Sequence, residues 1–187
     1  MADQTNAATE LAREHAEIDC LAARIDELEP GRERTALVGE LAERFFAHAD
    51  AEERLLYPAL RHFVPGGWSE VADQGRRQHA VARTIRAIER LPEQSGDEYD
   101  VLVSHLVVGV QDHVRRQDAV LLPKLIDACP IEDINRLGRQ LNRAVELALA
   151  EPPQRNSVSP AEPEPQAPRH GFWARLRRFL IGPPRID

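Results

Sequence analysis

The chain has 187 residues, 42% of them hydrophobic and 29% charged, with 14 prolines and 2 cysteines. These proportions are typical of one globular domain with an appended segment, and they argue against a second full domain. The net charge of −7 argues against a nucleic-acid partner, because such proteins need a basic surface. No apolar run approaches the roughly 20 residues of a membrane span, and no apolar signal segment follows Met1. We therefore expect a cytoplasmic protein with free thiols at Cys20 and Cys129.

The sequence changes character near residue 151, where an acidic body gives way to a basic, proline-rich tail. Residues 1–150 are predicted to form the folded domain. Residues 151–168 contain six prolines and few large apolar side chains, so they are predicted to be a flexible linker. Residues 169–187 are predicted to form a basic amphipathic segment.

Proline and glycine divide the body into four long segments and a fifth. The breaks fall at Pro30-Gly31, Pro65-Gly66-Gly67, Pro92 to Gly96 and Pro130. In chain order the recurring apolar positions are Leu11, Ile18, Leu21 and Ile25; Leu37, Leu41, Phe45 and Leu55; Val81, Ile85 and Ile88; Leu102, Leu106, Val110 and Leu121; and Ile134, Leu137, Leu141 and Val145. These steps of three and four residues are helical, and the body contains no useful stretch of period two. The sequence predicts an all-α fold, an up-down-up-down four-helix bundle with an extra C-terminal helix across or beside it.

Histidines and one acid interrupt these apolar stripes. His15 lies on the first stripe and His113 on the fourth. His48 and Glu52 lie on the second, four residues apart, so both point inward one turn above the other. A bundle core tolerates such groups only when they are paired, and bundles build metal sites from such side chains on facing helices. The pattern therefore predicts a metal site, and its alternative is a buried hydrogen-bonded network.

The second and fourth segments also share a repeat. The stretch HADAEERLLYPAL from His48 matches HVRRQDAVLLPKL from His113, with a histidine, an acid, a proline and a leucine at the same spacing. A single histidine precedes each stretch, His15 by 33 residues and His79 by 34. Two such helical hairpins would form a pseudo-symmetric cage for one or two metal ions.

These motifs resemble the hemerythrin-like family, the HHE cation-binding domains. The resemblance spans residues 10–127 and rests on EHAEID around His15, the two repeated stretches, and the pair QH at residues 78 and 79. It implies a four-helix bundle that holds non-haem iron, usually two ions bridged by carboxylates and an oxygen species. Carried over to the matching positions, it implies the metal ligands His15, His48, His79 and His113, with Glu52 and Asp118 as bridges.

The resemblance also implies a function. Such a protein would bind or respond to O₂, another diatomic ligand such as nitric oxide, peroxide, or iron itself. If the centre turns over, the enzymatic form would be a peroxidase-like, catalase-like or ferroxidase activity.

Two glutamines support a different hypothesis. Gln117 stands four residues after His113, where many family members carry glutamate. Gln78 is in phase with the apolar stripe of the third helix, whereas His79 lies about 180° from Ile88 on an ideal helix. The alternative is therefore a metal-poor helical interaction module that acts through its tail.

The tail carries a separate signal in residues 169–187. On a helix its large apolar residues share one face, with arginines around the remainder. Such a segment suits an anionic membrane surface, a groove on a protein partner, or the acidic bundle itself. Its end, FLIGPPR, is also loosely similar to the terminal peptides that address cargo to a bacterial nanocompartment shell.

Overall fold

The computed structural model describes residues 7–91 and 96–150, and helices make up most of both ranges. In chain order they are α1 (Ala7–Glu27), α2 (Arg32–Ala51), π1 (Glu52–Leu56), α3 (Tyr57–Phe63), α4 (Gly67–Arg90), α5 (Asp97–Arg116), π2 (Gln117–Leu121), α6 (Leu122–Ala128) and α7 (Ile131–Ala150). The two π segments are short π-helices. The predicted linker and the tail both lie outside the described residues.

The breaks between helices fall where proline and glycine predict them. Gly66 and Gly96 precede α4 and α5 with φ of 74° and 87°, in the left-handed region that glycine adopts without strain. By contrast, α2, π1 and α3 are continuous, and so are α5, π2 and α6. The bundle therefore consists of four long helical units: α1, α2 with π1 and α3, α4, and α5 with π2 and α6.

These four units form the predicted bundle. α1 packs against α2 and α5, and α4 packs against α5 and α3. Short connections make successive units antiparallel, which confirms the up-down-up-down arrangement. α7 lies beside the bundle against α1 and α2. Within the described ranges, no helix is both long and apolar enough to cross a membrane.

The core consists of two apolar clusters, and the predicted site lies at their junction. One cluster fills the space between α1, α2, α4 and α5, and the other includes the inner face of α7. On three helical units, the site residues lie between a member of one cluster and a member of the other. The flanking pairs are Leu11 and Ile18, Phe45 and Leu56, and Val110 and Leu121. Apolar side chains therefore enclose the site on both sides.

Candidate metal centre

Three buried histidines from three helices meet at this junction. His15 on α1, His48 on α2 and His113 on α5 are each at most 2% exposed. The ring centroids of His15 and His48 lie 5.1 Å apart, and those of His48 and His113 lie 5.6 Å apart. Among the described residues, the Nε2 atoms of all three have no hydrogen-bond partner. Because a buried polar atom without a hydrogen bond is destabilising, these nitrogens are suited to an additional ligand.

The carboxylate of Glu52 lies between two of these rings. Its Oε1 is 3.2 Å from Nε2 of His48, and its Oε2 is 3.3 Å from Nε2 of His113. His15, His48 and Glu52 can each offer one ligand atom, all within 4.8 Å of one another. Complete burial would raise the pKa of Glu52, but its electrostatic and hydrogen-bond interactions with His48 and His113 hold it well below its usual range. Glu52 is therefore an ionised acceptor at neutral pH.

The third helical unit contributes two amides to this group. Gln78 donates from Nε2 to Oε2 of Glu52 at 2.6 Å, and Nε2 of Gln74 lies 3.3 Å from Nδ1 of His113. His79, which the family resemblance implies as a ligand, is half-buried and lies outside this group. The side chains of adjacent residues point in directions about 100° apart around the helix axis, so His79 points away from the core when Gln78 points inward. Sequence reasoning overlooked Gln74, although it lies one turn before Gln78 on the same face.

Asp118 contacts the group from outside. Its Oδ1 accepts a hydrogen bond from Nδ1 of His15 at 2.7 Å, while 46% of its side chain is exposed. A proton on Nδ1 leaves Nε2 of the same ring with a free lone pair, which is the form of histidine that binds a cation. In this geometry Asp118 orients His15, and the bridging role implied by the resemblance stays a prediction.

Comparison with known proteins agrees with this arrangement. The model of the hemerythrin HHE cation-binding domain matches residues 6–125. The chain belongs to this family. It is also similar in fold to the crystal structure of a hemerythrin HHE cation-binding domain-containing protein from Mycobacterium kansasii, with a TM-score of 0.67 and 23% identity, over 76% of this chain and 86% of that one.

A curated relative of this HHE protein is a much longer chain. It is a DNA nickase from Nostoc sp. (strain PCC 7120), 33% identical over 84 residues. The match covers 44% of this chain and 23% of the nickase.

The fourth helical unit of this HHE domain carries an amide where the repeat predicts a second inward group. Gln117 is fully buried, and within residues 7–91 and 96–150 neither its Oε1 nor its Nε2 has a hydrogen-bond partner. It begins π2 just as Glu52 begins π1, so the two residues occupy equivalent positions. On the second helical unit, burial raises the pKa of Tyr57, and the charges of Glu52 and Glu53 raise it further, so this phenol stays neutral.

The donor set of the HHE domain fits an iron ion. Imidazole nitrogens with a carboxylate suit iron, and the described part of the chain places no thiolate in the group. The orphaned Nε2 atoms are the positions that a cation would satisfy. Bundles build such centres from inward side chains on facing helices.

Proposed function

We propose that this HHE domain binds non-haem iron through His15, His48, Glu52 and His113, and that it binds or responds to O₂, peroxide or nitric oxide. The observation that carries this proposal is the set of buried Nε2 atoms, none with a hydrogen bond among the described residues, around one ionised carboxylate. When bound, iron would supply two oxidation states and open positions for a small ligand. The surrounding apolar clusters would limit the access of water to that centre.

The two oxygens of Glu52 favour a pair of ions with unequal affinity. Oε1 faces His48, and with His15 it offers three ligand atoms to one ion. Oε2 faces His113 and also accepts from Gln78, so the second position must compete with that hydrogen bond. We therefore expect the ion on the His48 side to be held more tightly.

Metal analysis of purified protein tests this proposal. Protein from iron-supplemented cells should contain between one and two irons per chain and change its absorption spectrum after exposure to air or peroxide. His48→Ala and Glu52→Gln should each lose most of this iron, because each removes a buried ligand. His105→Ala is the matched control, since His105 is exposed on α5. Unchanged iron in both site variants would overturn the proposal.

The same experiment addresses the alternative of a metal-poor module. That hypothesis depends on residues 169–187, which lie outside the described residues. Iron-free wild-type protein would favour it, and deletion of residues 169–187 would then be expected to abolish partner or membrane association. If the iron site is functional, the deletion should leave the iron content unchanged.

A further inference from the structure

A small cleft formed by α1, α2 and α7 borders the metal centre. It is lined by Glu10 and Glu14 from α1, by Asn142 and apolar residues from α7, and by His48. His48 is only 1% exposed, and within the described ranges neither of its ring nitrogens has a hydrogen-bond partner. The cleft therefore places two acids beside a histidine of the proposed site.

The polar lining of this cleft is acidic and largely buried. The side chains of Glu10 and Glu14 are 10% and 5% exposed. Arg44 already pairs with Glu14, because its Nη2 donates a hydrogen bond to Oε1 at 3.4 Å and lies 3.3 Å from Oε2. Among the described residues, Oε2 itself accepts no hydrogen bond. A buried carboxylate oxygen without a hydrogen bond is destabilising, so Oε2 of Glu14 remains a position that a further cation can occupy.

A second cation of the protein, Arg13, contacts both acids. Nη2 of Arg13 is 3.0 Å from Oε2 of Glu10, 3.7 Å from Oε1 of Glu14 and 2.6 Å from Oδ1 of Asn142. The guanidinium thus links α1 to α7 across the cleft. Because the Arg13 side chain is 46% exposed, it can rotate into solvent without unfolding either helix.

We propose that this cleft is a transit site for divalent cations. The carboxylates of Glu10 and Glu14 capture the ion in place of Arg13, and the ion then passes to His48. Oxygen ligands suit a hydrated divalent cation, and the imidazole at the inner end suits a transition metal such as Fe²⁺. This inference rests on the proposed function, because it supplies the metal to that same site.

The rate of Co²⁺ uptake by the metal-free full-length protein tests the transit site. Stopped-flow absorption would follow the visible bands of bound Co²⁺. The double variant Glu10→Gln/Glu14→Gln should slow uptake by on the order of tenfold, because the cleft then lacks its attracting charge. Arg13→Gln should accelerate uptake. The amount of Co²⁺ bound at equilibrium should remain the same in both.

Matched controls make the single charge changes of Glu10→Gln and Arg13→Gln on an exposed face of α7. These are Glu132→Gln and Arg139→Gln, which should leave the rate close to that of the wild type. If the double variant folds poorly, the single variants Glu10→Gln and Arg13→Gln still test the inference. Slower Co²⁺ uptake by Glu10→Gln and faster uptake by Arg13→Gln would support the transit site.

Three results would overturn the inference, and the third would overturn the proposed function as well. Unchanged rates in the Glu10 and Arg13 variants would exclude this path. A loss of bound Co²⁺ at equilibrium in the Glu10 and Glu14 variants would make these acids permanent ligands. Wild-type protein that takes up no Co²⁺ would overturn the proposed function, and the transit site with it.

Discussion

The hydrogen bond between Asp118 and His15 indicates that this carboxylate orients the histidine ring, and variants of Asp118 can separate that role from a bridging one. If Asp118 only orients the ring, Asp118→Ala should weaken metal binding by about 10- to 100-fold without removing an ion. Asp118→Asn should recover most of the affinity, because its Oδ1 can still accept from Nδ1 of His15. Titration of the metal-free protein with Fe²⁺ under anaerobic conditions would measure both affinity and stoichiometry.

A bridging Asp118 would give a different pattern. Both variants would then bind one ion fewer per chain, since neither alanine nor asparagine supplies a bridging carboxylate. Asp112→Asn serves as the control, because Asp112 pairs with Arg77 on the exposed side of α5. It should bind metal as the wild type does.

Gln117 offers a second test on a single residue. Gln117→Glu would place a carboxylate at the position equivalent to Glu52, and it should tighten binding of the second ion by on the order of tenfold. The same change should lower the free energy of unfolding of the metal-free protein by about 1–3 kcal/mol, because the new charge is buried. Metal titration and urea unfolding with chelator measure the two effects. Gln140→Glu, on the exposed face of α7, should change neither, and weaker metal binding by Gln117→Glu would contradict this assignment.

The helical elements were largely predictable, whereas the inward residues on two of them were not. Proline and glycine punctuation marks helix ends because it acts locally on the backbone. The π segments that begin at Glu52 and Gln117 have no such local signal, since their wider hydrogen-bond pattern depends on packing. The sequence also left open whether Gln78 or His79 points into the core. Helical phase favoured Gln78, but the family resemblance favoured His79.

The junction between α3 and α4 depends on a glycine that packs against backbone. A Cβ on Gly67 would overlap the carbonyl of Leu60 and lie 3.2 Å from Cα of Arg61. Gly67→Ala should therefore lower the free energy of unfolding by about 1–3 kcal/mol, as overpacking does. Gly75→Ala is the matched control within α4. Apart from the backbone of its own helix, no atom of the described residues lies within 4 Å of its added Cβ, so it should raise stability by about 0.5–1 kcal/mol. Equal effects of the two changes in urea unfolding would contradict the close approach.

On the scale of the whole molecule, the position of α7 determines how the centre is enclosed. Its apolar positions Ile134, Leu137, Leu141 and Val145 predict a buried face. They do not specify a partner, because periodicity shows which face is buried but not what covers it. In the structure this face packs against α1 and α2, so a helix outside the four-unit bundle lines the cleft that reaches His48.

Metal binding should therefore stabilise the entire bundle, because its ligands come from three helical units and exist together only in the folded chain. At a free metal concentration 100 times the dissociation constant, the gain is about 2.7 kcal/mol, or a rise in Tm of about 5–10 °C. Calorimetry with and without chelator would measure this shift in the full chain. His48→Ala should lose the shift, whereas His105→Ala should retain it. An equal chelator effect on both variants would mean that the metal stabilises the protein from some other site.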